Sequence, residues 1–201
     1  MTDEDRAVIQ AVKSGDTEAF RFLVERHKGV LYGIIFKMVG NSQVAEELAQ
    51  DTFVKAFEAL GNFRGEAKFG TWLVQIGVHA ARDHLRRKKR LRQQRIVSLD
   101  ELRAAQRDDL EPVDKSPGAN PLSWLDEREK QDLLQQALGH LPAEHREVIV
   151  LKHFVGWSYE RIAELTGDSI GTLKVRAHRA RKLLKEQMHN LGWQIANGDS
   201  C

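Results

Sequence analysis

The sequence predicts an all-α protein made of two small helical domains that are joined by a flexible linker. Three observations support this fold class. Apolar residues recur at helical spacing through most of the chain, and no stretch shows the alternating pattern of a strand. Residues 98–123 break the periodicity with three of the four prolines and many acidic residues. The length of 201 residues is sufficient for two such domains.

The first domain is predicted to contain a series of amphipathic helices. The first helix lies between a start signal at Gly15-Asp16 and a stop signal at Gly40-Asn41, and the second runs from about Ser42 to Leu60. A third helix, from roughly Thr71 to Arg90, has a basic C-terminal end that suits the negative end of the helix dipole. The apolar stripes of the three helices include Phe20, Leu23, Leu31, Ile35 and Met38, then Ala45, Leu48, Phe53 and Ala56, then Leu73, Ile76 and Ala80.

The second domain begins after the proline-containing break. Leu134 and Leu138 start a new helical stripe, and Pro142 occupies the start of the following helix, which Gly156 ends. We therefore predict a first domain at residues 1–95, a linker at 96–125, a second domain at 126–191 and a tail at 192–201.

Composition excludes several classes of function. The longest apolar stretch, "GVLYGIIF", is far shorter than the roughly 20 residues that span a bilayer. The acidic start "MTDEDRAVIQ" is unlike a secretory signal, so we expect a cytoplasmic protein. Cys201 is the single cysteine, which excludes an internal disulfide. The histidines do not form an HExxH pair, and no glycine-rich phosphate loop is present. We expect no catalytic residues, no metal and no cofactor, and therefore not an enzyme.

The net charge of +2 conceals two basic blocks. Residues 82–95, "RDHLRRKKRLRQQR", contain eight lysines and arginines against one acidic residue. Residues 174–185, "KVRAHRARKLLK", contain six lysines and arginines, one histidine and no acid. The segment between them is net acidic, so the positive potential is confined to two sites. This arrangement predicts two contacts with one polyanion.

The C-terminal block lies on a predicted helix-turn-helix. Ser158 is a good N-cap for the first helix, and Gly167 can adopt the positive φ of the turn. The second helix starts near Gly171-Thr172 and is basic, as expected of a helix that enters the DNA major groove. An ordinary helical hairpin with a solvated basic face is the alternative. The side chains predicted to face away from the apolar stripe and bind DNA are Thr172, Lys174, Arg176, His178, Arg179 and Lys182.

Together these motifs resemble the sigma-70 family, specifically the extracytoplasmic-function (ECF) sigma factors. The matching stretches are "AEELAQDTFVKAFEALGNFRG", "FGTWLVQIGVHAARDHLRRKKR", "LGHLPAEHREVIVLKHFVGWSYERIAELTG" and "GTLKVRAHRARKLL". They fall in both predicted domains, in the order that the family shows. The family pattern often has a small polar residue where Val175 stands and a larger apolar residue at Ala177, so promoter preference cannot be copied from a relative.

The resemblance implies a transcription initiation factor that binds core RNA polymerase and promoter DNA. It assigns Gln50, Asp51 and Val54 to polymerase binding and the helix-turn-helix to the −35 promoter element. It also implies an anti-sigma factor as a partner, often membrane-bound in the family, and no small-molecule substrate. The residues that it assigns to the −10 element are Arg64, Lys68, His79, Arg82, Asp83, Arg86 and Arg87.

The stretch "FRGEAKFGTWLVQI" combines residues expected in the core with residues expected to contact DNA. Phe63, Phe69 and Trp72 are expected to build the core, because a small helical domain needs large side chains to close around its loop. Arg64 and Lys68 are expected on a mobile turn that meets a displaced base. The alternative function is a stand-alone helix-turn-helix regulator, which would bind duplex DNA tightly without polymerase.

Overall fold

The computed structural model describes the backbone of residues 3–99 and 127–192, with the side chains of residues 4–91 and 129–192. This part of the chain is helical and contains no strand, which confirms the predicted fold class. Helix α1 spans Asp3–Lys13 and was not predicted from the sequence. The tail from residue 193 lies outside the described residues, and so do residues 100–126, which include most of the predicted linker.

Three long helices form the N-terminal region: α2 (Phe20–Val39), α3 (Ser42–Ala59) and α4 (Phe69–Leu99). Asn41 caps α3, because its side chain accepts a hydrogen bond from the amide of Val44. Helix α4 is longer than predicted at both ends, so the first residues assigned to the linker continue this helix.

Helices α2 and α4 approach closely at Gly77. A Cβ atom at this position would lie only 2.7 Å from Cδ1 of Leu31. The buried side chains of α2, including Leu31 and Ile35, face this contact. The absence of a side chain at Gly77 therefore sets the distance between the two helices.

The three aromatic residues around the loop between α3 and α4 form one cluster. The ring centroids of Phe63 and Trp72 are 5.0 Å apart, and those of Phe69 and Trp72 are 5.7 Å apart. Phe63 and Phe69 are buried, and Trp72 is half-buried. The prediction that these residues build the core is confirmed.

The C-terminal region consists of α5 (Glu127–Gly139), α6 (Ala143–Ile149), α7 (Tyr159–Thr166) and α8 (Ile170–Asn190). A single π-helical turn, Val150–Phe154, continues α6 before Gly156 ends the segment with a φ of 80°. The buried residues on α6 and α8 include Val148, Leu173, Ala177 and Ala180.

The two helical regions pack against each other, which the sequence does not predict. The amide nitrogen of the Gln135 side chain donates a hydrogen bond of 3.1 Å to the carbonyl of Phe36. The ammonium of Lys37 lies 5.2 Å from the centroid of the Phe154 ring. Apolar residues of both regions belong to one contiguous buried cluster. We call this contact between α2/α4 and the C-terminal helices the seam.

Candidate nucleic-acid interface

Helices α7 and α8 form the predicted helix-turn-helix. Gly167 ends α7 with a φ of 76°, as expected of a residue in the left-handed region. Ser158 caps α7 by accepting from the amide of Arg161, and Ser169 caps α8 by accepting from the amide of Thr172. These caps fix where α7 and α8 begin.

Most of the residues predicted to bind DNA on α8 are exposed, as expected: Thr172, Lys174, His178, Arg179 and Lys182. Among the described residues, no ion pair is formed by Lys174, Arg179 or Lys182. The hydroxyl oxygen of Thr172 lies 2.9 Å from that of Ser169, at the N-terminal end of the helix. The exposed side of α8 therefore keeps a net positive charge.

Arg176 differs from its neighbours, and the prediction that it faces away from the rest of the domain is wrong. Its guanidinium pairs with Asp168 in the turn at 2.5 Å and lies 3.6 Å from Glu144 on α6. The side chain is only 23% exposed. Arg176 lies close to the boundary of the buried stripe, so two carboxylates from the turn and from α6 can reach it.

The loop between α3 and α4 places its charged residues outside the aromatic cluster. Arg64 and Lys68 are exposed, and Gly65 between them has a φ of 76°. The ammonium of Lys13 on α1 donates a hydrogen bond of 2.7 Å to the carbonyl of Phe63. The loop thus has a fixed base and a cationic, solvent-facing tip.

One side of α4 carries further exposed charged and polar residues. His79, Asp83, Arg86 and Arg87 are exposed, and the last three lie four, seven and eight residues after His79, which places them on the same side of a helix. We call this side of α4, together with the loop, the loop–α4 surface.

Arg82 is the exception on α4, because it faces the seam. Its Nε atom lies 2.6 Å from a carboxylate oxygen of Glu147 on α6, and another guanidinium nitrogen donates to the carbonyl of Leu165 on α7. The side chains of Arg82 and Glu147 are 17% and 14% exposed. Burial raises the pKa of the Glu147 carboxyl, and the adjacent Arg82 guanidinium opposes that rise. The expectation that Arg82 belongs to an open surface is wrong for this arrangement.

The exposed side of α3 carries the three residues assigned to polymerase. Gln50, Asp51 and Val54 are exposed, and Val54 retains 56% of its surface. Ala49, Phe53 and Ala56 on the other side are buried in the N-terminal core. Phe57, 39% exposed, extends this surface by one turn beyond Val54. Exposed apolar side chains with polar residues beside them resemble a protein-binding site, in which an apolar centre lies within a polar rim.

Sequence reasoning missed three acidic residues that organise these surfaces: Glu144, Glu147 and Asp168. Each pairs with an arginine that the sequence assigned to DNA. Asp168 lies eight residues before Arg176, and its place in the turn gave a weak signal. Glu147 had none, because its partner is on a distant helix in the other region.

In residues 3–99 and 127–192, no set of three or more His, Cys, Asp and Glu side chains is placed to hold a metal ion. None of the helices in the same ranges is both long enough and apolar enough to cross a membrane.

A helical protein with a basic helix-turn-helix and a second cationic surface belongs to the class of DNA-binding proteins. Residues 23–91 match the family model of sigma-70 region 2, and residues 131–184 match that of sigma-70 region 4. The chain therefore belongs to the sigma-70 family, and its relatives place it among the ECF sigma factors, as the sequence motifs indicated.

Two relatives illustrate this likeness. The chain is 32% identical over 189 residues to the RNA polymerase sigma-H factor of Pseudomonas aeruginosa, covering 94% of this chain and 96% of the relative. It is also 32% identical over 184 residues to the ECF RNA polymerase sigma factor SigW of Bacillus subtilis, covering 91% and 96%.

Two solved structures are also similar to this chain. CnrH, solved in complex with the cytosolic domain of CnrY, is 28% identical with a TM-score of 0.55, over 94% of this chain and 99% of that chain. The sigma factor RpoE of Bartonella quintana, solved with the anti-sigma factor NepR, is 27% identical with a TM-score of 0.55, over 85% and 96%.

Proposed function

We propose that this protein directs core RNA polymerase to promoters and helps to open them, acting by binding and not by catalysis. The loop–α4 surface contacts the −10 element, and the helix-turn-helix contacts the −35 element. The observation that carries this proposal is the presence of two separate cationic surfaces on the regions that match sigma-70 regions 2 and 4. A stand-alone regulator would need the helix-turn-helix but not the loop–α4 surface.

The chemistry of α8 suits duplex DNA. An α-helix fits the major groove, where lysine and arginine donate to O6 and N7 of guanine. Lys174, His178, Arg179 and Lys182 are exposed on α8 and are assigned to bases and phosphates. Thr172, at the N-terminal end of α8, is placed to donate to a phosphate, where the helix dipole also favours an anion.

The chemistry of the loop–α4 surface suits unpaired DNA. Arg64 and Lys68 provide positive charge beside the buried aromatic cluster, and His79 and Asp83 offer polar groups to the edge of a base. Arg86 and Arg87 are assigned to phosphates, since most contacts of this type position the protein and do not read sequence. The capture of a displaced base would offset the few kcal/mol that unstacking costs.

Arg82 is also assigned to the −10 element, with one condition. Its guanidinium is held by Glu147 and by the carbonyl of Leu165 in the seam. It can reach DNA only when the seam opens. We therefore assign the closed seam, in which Glu147 and Leu165 hold Arg82, to the protein before it binds a promoter.

The exposed side of α3 is assigned to polymerase through Gln50, Asp51 and Val54. Acidic residues there would guide docking on a basic partner. We also propose an anti-sigma factor as a protein partner, because the two solved relatives include a complex with an anti-sigma factor. We further propose that the sigma factor itself acts in the cytoplasm, where polymerase is found, and that it needs no cofactor or small-molecule substrate.

The direct test adds the purified protein to core polymerase that lacks any sigma factor. We expect promoter-specific transcripts from promoters identified by mapping transcript starts after overexpression. Absence of any promoter-specific transcript would refute the proposal. Tight, specific duplex binding by the protein alone, without an effect on core polymerase, would instead support the stand-alone regulator.

The loop provides a second, more local prediction. Replacing Arg64 and Lys68 by alanine should reduce promoter opening by at least about tenfold, since losing even one charged hydrogen-bonding contact of about 1.5–3 kcal/mol has that effect. Binding to core polymerase should be unchanged, because neither residue belongs to the exposed side of α3 that is assigned to polymerase. Opening is measured by the permanganate reactivity of unpaired thymines, and polymerase binding by fluorescence anisotropy.

The exposed Glu66 in the same loop offers the matched control. Glu66→Ala removes a side chain of similar exposure but of the wrong charge for DNA, so promoter opening should not fall. An equal loss of opening and of polymerase binding in the Arg64/Lys68 variant would mean that the loop has only a structural role.

A further inference from the structure

Val175 occupies the middle of the exposed side of α8. The residue is 50% exposed, whereas Leu173, Ala177 and Ala180 on the same helix are fully buried. At about 100° per residue, Val175 lies almost opposite the centre of that buried stripe. Gly171, one turn earlier, adds no side chain beside it, and a Cβ there would meet only the Ser169 hydroxyl at 3.7 Å. Val175 is therefore the most outward-facing apolar group of the helix-turn-helix.

The surroundings of Val175 point to nucleic acid as its partner. A single exposed valine is ordinary on a protein surface. This one is surrounded on the same helix by exposed cationic or polar side chains, namely Lys174, His178, Arg179 and Lys182. A protein partner that buried Val175 would also have to neutralise these charges, whereas DNA phosphates do so on either side of a groove. An apolar group between phosphate-binding cations is thus placed toward base edges.

Major-groove base edges offer one apolar group, the 5-methyl of thymine. The other groups that face the groove are hydrogen-bond donors and acceptors. A valine has no hydrogen-bonding group, so its side chain can gain free energy at a base edge only by contact with that methyl. Serine or another small polar residue would read the same position by different chemistry.

Arg176 fixes the orientation that this contact needs. Its pairs with Asp168 in the turn and with Glu144 on α6 tie the first turns of α8 to the rest of the domain. These pairs restrain rotation of the helix about its axis. Because Val175 is the residue before Arg176, they also restrain the direction in which its side chain points. The arginine acts here as a positioning residue, and the valine is the group that meets the base.

We propose that Val175 reads the 5-methyl group of a thymine in the −35 element and so helps to set promoter preference. This inference rests on the proposed function, since it requires that α8 enters the major groove of promoter DNA. It assigns a specificity role to Val175, the one exposed apolar side chain of α8.

The test uses the holoenzyme, reconstituted from the full chain and core polymerase, and −35 duplexes that it selects from a randomised pool. Each thymine of the selected duplex is replaced in turn by deoxyuridine, which removes only the methyl group. At one thymine position we expect binding to weaken by about fourfold, the effect of one buried carbon. Val175→Ala and Val175→Ser should abolish the discrimination at that position and leave the other thymines unaffected.

Two controls accompany this test. Val175→Thr keeps a methyl group of similar shape and should retain part of the discrimination. The side chain is exposed, so circular dichroism should show that all three variants fold. A wild-type holoenzyme that is indifferent to every methyl, or a Val175→Ala variant that keeps the discrimination, overturns the inference. Weaker binding of core polymerase by Val175→Ala, without a change in methyl discrimination, would do the same and assign Val175 to a protein contact.

The proposed function and this inference can fail separately. A wild-type holoenzyme that selects no sequence from the pool contradicts the proposed function. A holoenzyme that selects a −35 sequence but ignores its methyl groups contradicts only the role of Val175.

Discussion

Replacing Phe69 by alanine is expected to destabilise the N-terminal region by about 3–5 kcal/mol, the usual cost of removing a buried phenyl ring. Phe69 is 0% exposed and lies at the first turn of α4. Its ring centroid lies 5.3 Å from that of His27, 5.7 Å from that of Trp72 and 6.0 Å from that of Phe63. The truncation would leave a cavity among all three neighbours, so the loop and the start of α4 would lose their common support.

This loss is a large fraction of the stability of a small domain, which is typically about 5–15 kcal/mol. Urea unfolding followed by tryptophan fluorescence measures it, because Trp72 belongs to the cluster. Phe22→Ala on α2 is the matched control, since the same substitution at a 54% exposed residue should change stability by about 0.5 kcal/mol or less. A similar small effect at Phe69 would contradict the assigned role of the cluster as the core beneath the loop.

Replacing Glu147 by alanine is expected to open the seam. The change leaves the Arg82 guanidinium largely buried without its carboxylate, which costs about 3–5 kcal/mol. The two residues belong to different helical regions, so this cost falls on the contact between the regions and not on either core. We expect a larger distance between labels on α2 and α8, measured by single-molecule energy transfer, and a larger radius of gyration in solution scattering.

Glu144→Ala is the matched control for the seam. Glu144 is also on α6 and also pairs across the seam, with the ammonium of Lys89 at 3.1 Å, but its side chain is 53% exposed. A surface pair of this kind contributes about 0–1 kcal/mol, and the longer contact of Glu144 with Arg176 lies within the C-terminal region, so the distance between the labels should change little. Equal distances in the wild type and the Glu147 variant would show that the buried pair does not hold the regions together.

The Glu147→Ala variant also distinguishes the presence of Arg82 from its release out of the seam. The Glu147→Ala variant retains Arg82 itself, so any change in promoter binding by the holoenzyme reports on its release. In the closed arrangement the guanidinium is bound to Glu147 and Leu165. This variant therefore tests the seam without altering a residue assigned to DNA.

Local patterns in the sequence were sufficient to predict the long helices α2, α3 and α4 and the helix-turn-helix, but not α1. The apolar stripes on α2 and α3 and the cap at Ser158 act over a few residues, and so does the positive φ of Gly167. Each depends on interactions within one or two helical turns, so the residue order alone carries the information. The same holds for the core role of Phe63 and Phe69, because their size and apolarity required burial.

The sequence by itself thus determined the helical elements, the turn chemistry and the two basic segments. Only the tertiary structure decided which arginines remain free to bind DNA. Arg82 and Arg176 are indistinguishable in sequence from their exposed neighbours, yet one pairs with Glu147 across the seam and the other with Asp168 in the turn. Charge pairing depends on distance in space, and Leu165 accepts from Arg82 across 83 residues of chain. Helical packing brings these groups together, and no periodicity within a single helix records it.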